Sequence, residues 1–361
     1  MAYGPSDAVD PREVRRALIV KLRHHGDVLL ASPVFSALKR AAPQAEIDAL
    51  VYSETRDMLL LHPAISRLFE IDRAWKSQAP GRRAAAEWRL FSALRARRYD
   101  LIIHLTDHSR GAWLARLLGA PYAVAPDYPE KPRWWRASFT HRVPQAGLRH
   151  TVEFNLDALR RIGIQPGPAD RALILVPGEQ AQSRAAALLV ENRLVDKGFI
   201  LLHPGSRWQF KCWPAERFAA LMDEMHRRGE RLVLTAAPDQ PEFELIAEIH
   251  RRTQAPFIDL AGQLTLKALA ALCARARLFI GVDSAPMHIA AAMGTPVVAL
   301  FGPSGEAEWR PWMTRHRVVV SAEHPCRPCG NDGCGGGKLS ECLTTLPVES
   351  VLAAIDSLLA Q

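Results

Sequence analysis

The chain has 361 residues, 48% hydrophobic and 23% charged, proportions that exclude a disordered or fibrous protein and a length that suits two ordinary domains. Lys and Arg number 46 against 38 Asp and Glu. Residues 1–150 hold 24 basic and 15 acidic side chains, a net of +9, while the remainder holds 22 and 23, a net of −1, so the N-terminal half is expected to meet an anionic partner.

Met1 to Asp10 shows neither the basic start nor the apolar run of an export signal. The longest apolar stretch, residues 278–302, is interrupted by Asp283, Pro286, His288 and Pro296, which argues against a membrane-spanning helix. Six cysteines without an export signal point to reduced thiols in a cytoplasmic protein. Cys212 and Cys273 are isolated and read as packing residues.

In chain order, RRALIVKL ends a short strand at Leu22, and RHHGD follows as a polar loop. VLLASPVFSALKRAAP then places Val28, Leu29, Phe35 and Leu38 near one helical face, with Pro33 kinking the helix or lying in its first turn. EIDALVY, RLFEID and LIIHL read as further strands, and the Arg- and Ala-rich stretch from Arg82 to Arg98 as a helix. Alternation of this kind predicts a parallel sheet covered on both faces. PYAVAPDYPEKPRWWRASFTHRVP, rich in proline, with Trp134, Trp135 and Phe139 among arginines, reads as an irregular surface excursion. HTVEFNLDALRRIGI returns to helix, and QPGPAD is read as an interdomain linker.

The second half repeats the alternation. GFILLHPGS, RLVLTAAP, FIDLAG, RLFIGVD and TPVVALFGP read as strands or strand-to-loop segments. Between them lie helical patterns, one closed by Gly229 and one opened by Asp239 as N-cap. The expected organisation is α/β, with two doubly wound parallel-sheet domains at residues 1–167 and 168–345 and a C-terminal helix at 346–361. Two such domains facing each other would form a cleft at the C-terminal ends of their strands. Neither the GxGxxG fingerprint nor a Walker loop is present, which disfavours a dinucleotide dehydrogenase and a phosphate-loop NTPase.

Four loops at those strand ends hold the candidate chemistry. In GVDSAPMH, Asp283 ends a strand, and Ser284, Ala285 and Pro286 open a helix whose first amides suit a phosphate; His288 lies one turn inside. Helix capping by Asp283 and simple packing of His288 explain the same residues. In HPGSRWQFK, Gly205 and Ser206 form a strand-to-helix loop, and Lys211, with Arg207 second, suits a diphosphate leaving group; a solvated lysine is the alternative. In RHHGD, Gly26 frees the loop, and Asp27 stands where a carboxylate can take a proton from a hydroxyl, or cap a helix. A helix terminus lowers a carboxylate pKa, which opposes the role of base unless substrate desolvates it. In TAAPDQPE, Asp239 or Glu242 could hold a ribose, though capping explains Asp239 equally well.

Cys326, Cys329, Cys334 and Cys342 lie in a glycine-rich segment at x2, x4 and x7 spacing. Four thiolates of this kind could hold a structural zinc tetrahedrally, and a loop tightened by reduced cysteines is the alternative.

Taken together, HHGDVLLASPVFSALK, LLHPGSRWQFKCWP, LFIGVDSAPMHIAAAMGTPVVALFGPS and WRPW resemble the heptosyltransferases of glycosyltransferase family 9, most of all their heptosyltransferase III type. The likeness runs from about Ala17 into the C-terminal helix. It implies a GT-B fold of two facing Rossmann-like domains, with the donor in the second. The implied reaction is inverting transfer of L-glycero-D-manno-heptose from ADP-heptose to the inner core of lipopolysaccharide, with no cofactor required for catalysis. By that resemblance Asp27 matches the base, and Ser206 and Lys211 the donor-phosphate positions. Asp283, Ser284, Ala285 and His288 match the loop on the heptose and pyrophosphate, with Ser284-Ala285 where relatives often have Thr-Gly.

The acceptor would be an acidic glycolipid at the inner face of the inner membrane. That suits the basic N-terminal half, with Gly26 and Arg110 on the acceptor side and the Trp/Arg segment at the headgroups. Competing readings are a family 9 transferase with another donor or acceptor and a nucleotide-binding module without catalysis. A nucleic-acid binder is disfavoured, because the basic residues are dispersed and no nucleic-acid motif is present.

Overall fold

The computed structural model describes residues 5–145 and 147–360; the outer bounds expected for the domains, residues 1 and 361, lie outside them. The chain divides into two compact units between Val176 and Pro177. The division lies beyond Gly167 because QPGPAD is no free linker. Pro168–Arg171 forms a 3-10 turn, and the buried Asp170 pairs with Arg40 at 2.8 Å, which ties the segment to the first unit.

The first unit runs β1 (Arg16–Val20), α1 (His25–Leu29), α2 (Ser32–Ala41), β2 (Glu46–Tyr52), β3 (Arg67–Ile71), α3 (Pro80–Ala96), β4 (Leu101–His104), α4 (Ser109–Leu118), β5 (Tyr122–Pro126), α5 (Arg133–Arg136), β6 (His141–Val143) and α6 (Thr151–Arg161). Its six strands are all parallel, in the order β3-β2-β1-β4-β5-β6. The order reverses between β1 and β4, the switch point where ligands bind in open α/β sheets. The unbroken apolar runs of β1 and β4 are those of strands buried on both faces. Leu18, Val20, Leu50 and Ile102 of the sheet pack with Leu94 of α3 and Leu114 of α4.

Two expectations for this half are corrected, and one of the two readings of Pro33 holds. RHHGD is not an open loop: α1 begins at His25, and Gly26 is helical, its carbonyl accepting from the Leu30 amide at 2.9 Å. Pro33 kinks nothing; it lies in the first turn of the separate helix α2, where its missing N–H costs no bond. The proline-rich stretch is not an irregular excursion, because it supplies β5 and β6 to the sheet. Trp135 and Phe139 are buried there against Ala112 and Ala125, while Trp134 remains on the surface.

The second unit runs α7 (Glu179–Glu191), β7 (Ile200–His203), α8 (Ala215–Arg227), β8 (Leu232–Leu234), α9 (Gln240–Arg252), β9 (Ile258–Asp259), α10 (Leu266–Cys273), β10 (Leu278–Val282), α11 (Ala285–Ala292), β11 (Val297–Leu300), α12 (Glu306–Trp309), β12 (His316–Val319), α13 (Glu341–Thr344) and α14 (Val348–Leu359). Its sheet is also parallel, in the order β12-β11-β10-β7-β8-β9, and its switch point lies between β7 and β10. The C-terminal helix is no separate segment. Val351, Ile355 and Leu358 of α14 enter the core of this unit beside Met222 and Leu300. Both units are thus Rossmann-like, as a GT-B chain requires. Among the described residues no helix is long and apolar enough to cross a membrane.

Candidate active site

In the second unit, the loops after β7 and β10 leave adjacent strands, since Gly281 of β10 is in register with His203 of β7. That adjacency brings together residues far apart in sequence. Lys211 ends a 3-10 turn, Gln209–Lys211, and its Nζ donates to Asp283 Oδ2 at 2.6 Å. Asp283 is therefore a partner of the lysine and no helix cap; Ser284 occupies the N-cap of α11. The Ser284 hydroxyl caps nothing, and its Oγ is buried without a hydrogen-bond partner among the described residues. A buried orphan hydroxyl costs free energy that a ligand oxygen would recover. Ala285 begins α11 itself, with Pro286 in its first turn.

Ser206 is buried, and its Oγ accepts from the Trp208 amide at 3.3 Å. Arg207 is exposed, with its guanidinium 5.4 Å from the Trp208 ring centre. His288 is buried, its ring 6.5 Å from that of Trp309.

Beneath this loop lies a buried polar group that the sequence did not reveal. His203 Nδ1 meets Thr235 Oγ1 at 3.0 Å, and its Nε2 lies 3.5 Å from Glu242 Oε2. That same Glu242 oxygen accepts from the Ala237 amide at 2.7 Å. Burial pushes the Glu242 carboxyl up, but His203 and the Ala237 amide more than offset it and leave it below the ordinary range. Gly205 packs on that carboxylate: a Cβ there would stand 2.4 Å from Glu242 Oε2. Asp239 caps α9, its Oδ1 accepting from the Glu242 amide at 3.1 Å. One of the two acidic candidates for a ribose thus supports the Gly205 loop, and the other caps a helix.

In the first unit, Asp27 lies in the first turn of α1, just after the central strand β1. It is not the N-cap; that position is His24. Asp27 is half-buried, and among the described residues its carboxylate has no hydrogen-bond partner. Below it Lys21 is buried, its Nζ donating to Leu105 O and Asn155 Oδ1, each at 3.1 Å. Burial pulls the Lys21 ammonium down to about 8, partly offset by the Asp27 charge. Nothing along the chain marks this lysine, because its partners lie 84 and 134 positions away. Arg110 opens α4, and its guanidinium grips Glu87 of α3 through two hydrogen bonds of 2.5 and 2.7 Å. Its charge is already matched within the unit.

Of the four C-terminal cysteines, Cys342 lies within electrostatic reach of Cys326, Cys329 and Cys334. Cys326, Cys329 and Cys334 are exposed, and Cys342 is buried on α13. Among the described residues no group of three or more His, Cys, Asp or Glu side chains could hold a metal ion. The thiols as placed therefore do not fit a tetrahedral zinc.

Comparison with known proteins gives this arrangement a context. Residues 87–339 match the sequence profile of glycosyltransferase family 9 (heptosyltransferase). Over 340 residues the chain is 36% identical to a lipopolysaccharide heptosyltransferase 3 from Escherichia coli, covering 94% of this chain and 97% of that one. In fold it is similar to the family 9 glycosyl transferase from Veillonella parvula, at a TM-score of 0.82 and 24% identity over 98% of this chain and 99% of that one. It is also similar to E. coli heptosyltransferase WaaC with ADP, at a TM-score of 0.73 and 20% identity over 95% and 99%.

Proposed function

The chain belongs to glycosyltransferase family 9, and from that membership we propose that it transfers L-glycero-D-manno-heptose from ADP-heptose to the inner core of lipopolysaccharide, with inversion. The observation that carries this reading is the switch point of the second sheet. A lysine and an unpartnered buried hydroxyl meet there at the start of α11, and the buried Ser206 lies in the loop that carries the lysine, the donors that a departing diphosphate needs.

In this mechanism the acceptor hydroxyl gives its proton to Asp27 and attacks the anomeric carbon as the bond to ADP breaks. Lys211, Ser206, Ser284 and the first amides of α11 take up the negative charge on the leaving diphosphate. The free carboxylate of Asp27 supports its role as base, because no internal donor competes for it. Lys211 shifts from Asp283 toward the diphosphate, leaving Asp283 to meet hydroxyls of the heptose. The reaction needs no metal or other cofactor, since fixed protein charge serves where a cation otherwise would. The likeness to lipopolysaccharide heptosyltransferase 3 supports lipopolysaccharide as the acceptor. A lipid-borne acceptor sets the protein's place of work at the cytoplasmic face of the inner membrane, as a peripheral protein.

Incubation with ADP-heptose and heptose-deficient core, read by mass spectrometry, tests the proposal. Addition of one heptose is expected, and no product on any core acceptor would overturn it. Transfer from a different nucleotide sugar alone would keep the chemistry and reject the donor.

A further inference from the structure

We infer that the outer surface of α3, α4 and α5 docks on an anionic phospholipid bilayer, an inference that rests on the reading of the acceptor as membrane-borne. Trp113 of α4, 51% exposed, stacks on Trp134 of α5, 37% exposed, with ring centres 4.9 Å apart. Leu117, one turn beyond Trp113, is 52% exposed. Arg95 of α3 donates to the Leu117 carbonyl at 3.4 Å and lies 6.0 Å from the centre of the Phe91 ring. Phe91 in turn meets Trp88, 67% exposed, at 6.0 Å. Trp88, Phe91 and Arg95 fall on one stripe of α3 at helical spacing, so the apolar surface is continuous from Trp88 to Trp134.

Exposed indoles are not forced by a lack of space inside. The neighbouring Trp135 is buried completely, and α5 turns Trp134 outward beside it. Contiguous exposed apolar patches of this kind mark interaction sites.

The charge around the patch selects the partner. Arg82, Arg83, Arg89, Arg95, Arg116 and Arg133 are exposed on these three helices. The helices hold one acidic residue, Glu87, and it is bound to Arg110. Tryptophan at the surface with arginine around it, and no free carboxylate on the three helices themselves, is the composition of a headgroup interface. α4 and α5 begin at the C-terminal ends of β4 and β5, the strand ends at which α1 with Asp27 also begins.

The test is co-sedimentation of the full chain with phosphatidylethanolamine vesicles containing phosphatidylglycerol, against phosphatidylcholine vesicles. Binding to the anionic vesicles that weakens with salt is expected. Trp113→Ser with Trp134→Ser should weaken it about tenfold or more. Arg82→Ala, Arg83→Ala and Arg89→Ala should each weaken it about fivefold. Val190→Ser, at an exposed apolar position on α7, should leave it unchanged, and an unaltered thermal midpoint shows that the variants fold. Equal binding by the tryptophan variant overturns the inference, as does duplex DNA binding as tight as that to the anionic vesicles. Transfer to a deacylated, soluble core acceptor is measured on the same variants and should be retained. Vesicle binding lost in the wild type with soluble transfer intact rejects the docking face alone, whereas docking without any transfer rejects the proposed reaction.

Discussion

Lys211 and Asp283, 72 positions apart in the chain, meet at 2.6 Å across the switch point of the second sheet. The carboxylate side chain is 6% exposed and the lysine 22%, so each charge is largely removed from water and depends on the other. Lys211→Met should lower transfer about 10²- to 10³-fold. It should also cost about 1–3 kcal/mol of stability, because a buried carboxylate loses its partner. Adding Asp283→Asn should restore most of that stability and none of the transfer. Chemical denaturation and initial rates measured together check both parts; normal transfer by the single variant would remove Lys211 from the mechanism.

Asp27→Asn keeps size and shape and removes the base. Transfer is expected to fall about 10²- to 10⁴-fold, with ADP affinity unchanged by calorimetry. A variant that transfers at the wild-type rate would make Asp27 a helix-stabilising carboxylate at the start of α1 and nothing more.

Gly205→Ala places a methyl group 2.4 Å from Glu242 Oε2. That carboxylate cannot swing away freely, since the Ala237 amide and His203 hold it in a buried site. The loop must move instead, at a cost of about 1–3 kcal/mol, carrying Ser206 with it. Weaker ADP binding with unchanged vesicle binding is the expected pattern.

His104 ends β4 and is enclosed by Trp135, Phe139 and Gly111. Burial pulls its imidazole down to about 3, against the opposing effect of the His108 carbonyl. Its folded pKa lies below the ordinary 6.5, so between those values the unfolded chain binds the extra proton. Stability from this group is therefore complete above about pH 6.5 and is lost as pH falls toward 3. On going from pH 7.5 to pH 5 the wild type should lose about 2 kcal/mol more than His104→Gln, as urea denaturation at the two pH values will report. Equal losses would refute this.

The cysteines should separate by accessibility. Cys326, Cys329 and Cys334 are exposed, whereas burial pushes the Cys212 thiol up to about 12 and raises Cys273 and Cys342 as well. Ellman's reagent should titrate three thiols fast in the native protein and the rest only on unfolding. Zinc well below one equivalent per chain is expected; a full equivalent, with protection of those three, would show that the thiols gather around metal.

The strands were legible where burial on both faces makes their composition uniform. ILLH and LFIGV read as strands from their apolar runs alone, and Asp239 read as an N-cap from its place before Gln240–Arg252. β5 and β6 were not legible. PYAVAP is bounded by prolines, and HRV is three residues long at the sheet edge, so neighbouring strands, with no periodicity of their own to help, make them strands. Asp27, Lys211 and Ser284 stood out because each follows a strand in a loop of small or polar residues. What lies beneath them did not stand out: Lys21 below Asp27, and the pairing of His203 with Glu242 below Gly205.

By itself the sequence determined the class of the protein: alternating strands and helices, a basic half and a neutral half, and loops suited to a diphosphate. Those properties are local or additive, and composition and spacing carry them. The tertiary structure alone decided which polar residues lean on one another. It turned Asp283 from a cap into the partner of Lys211, matched the charge of Arg110 with Glu87, and left Cys326, Cys329 and Cys334 exposed while burying Cys342. Such pairings depend on which strands lie side by side, and the order of strands in a sheet is set by packing over the whole unit.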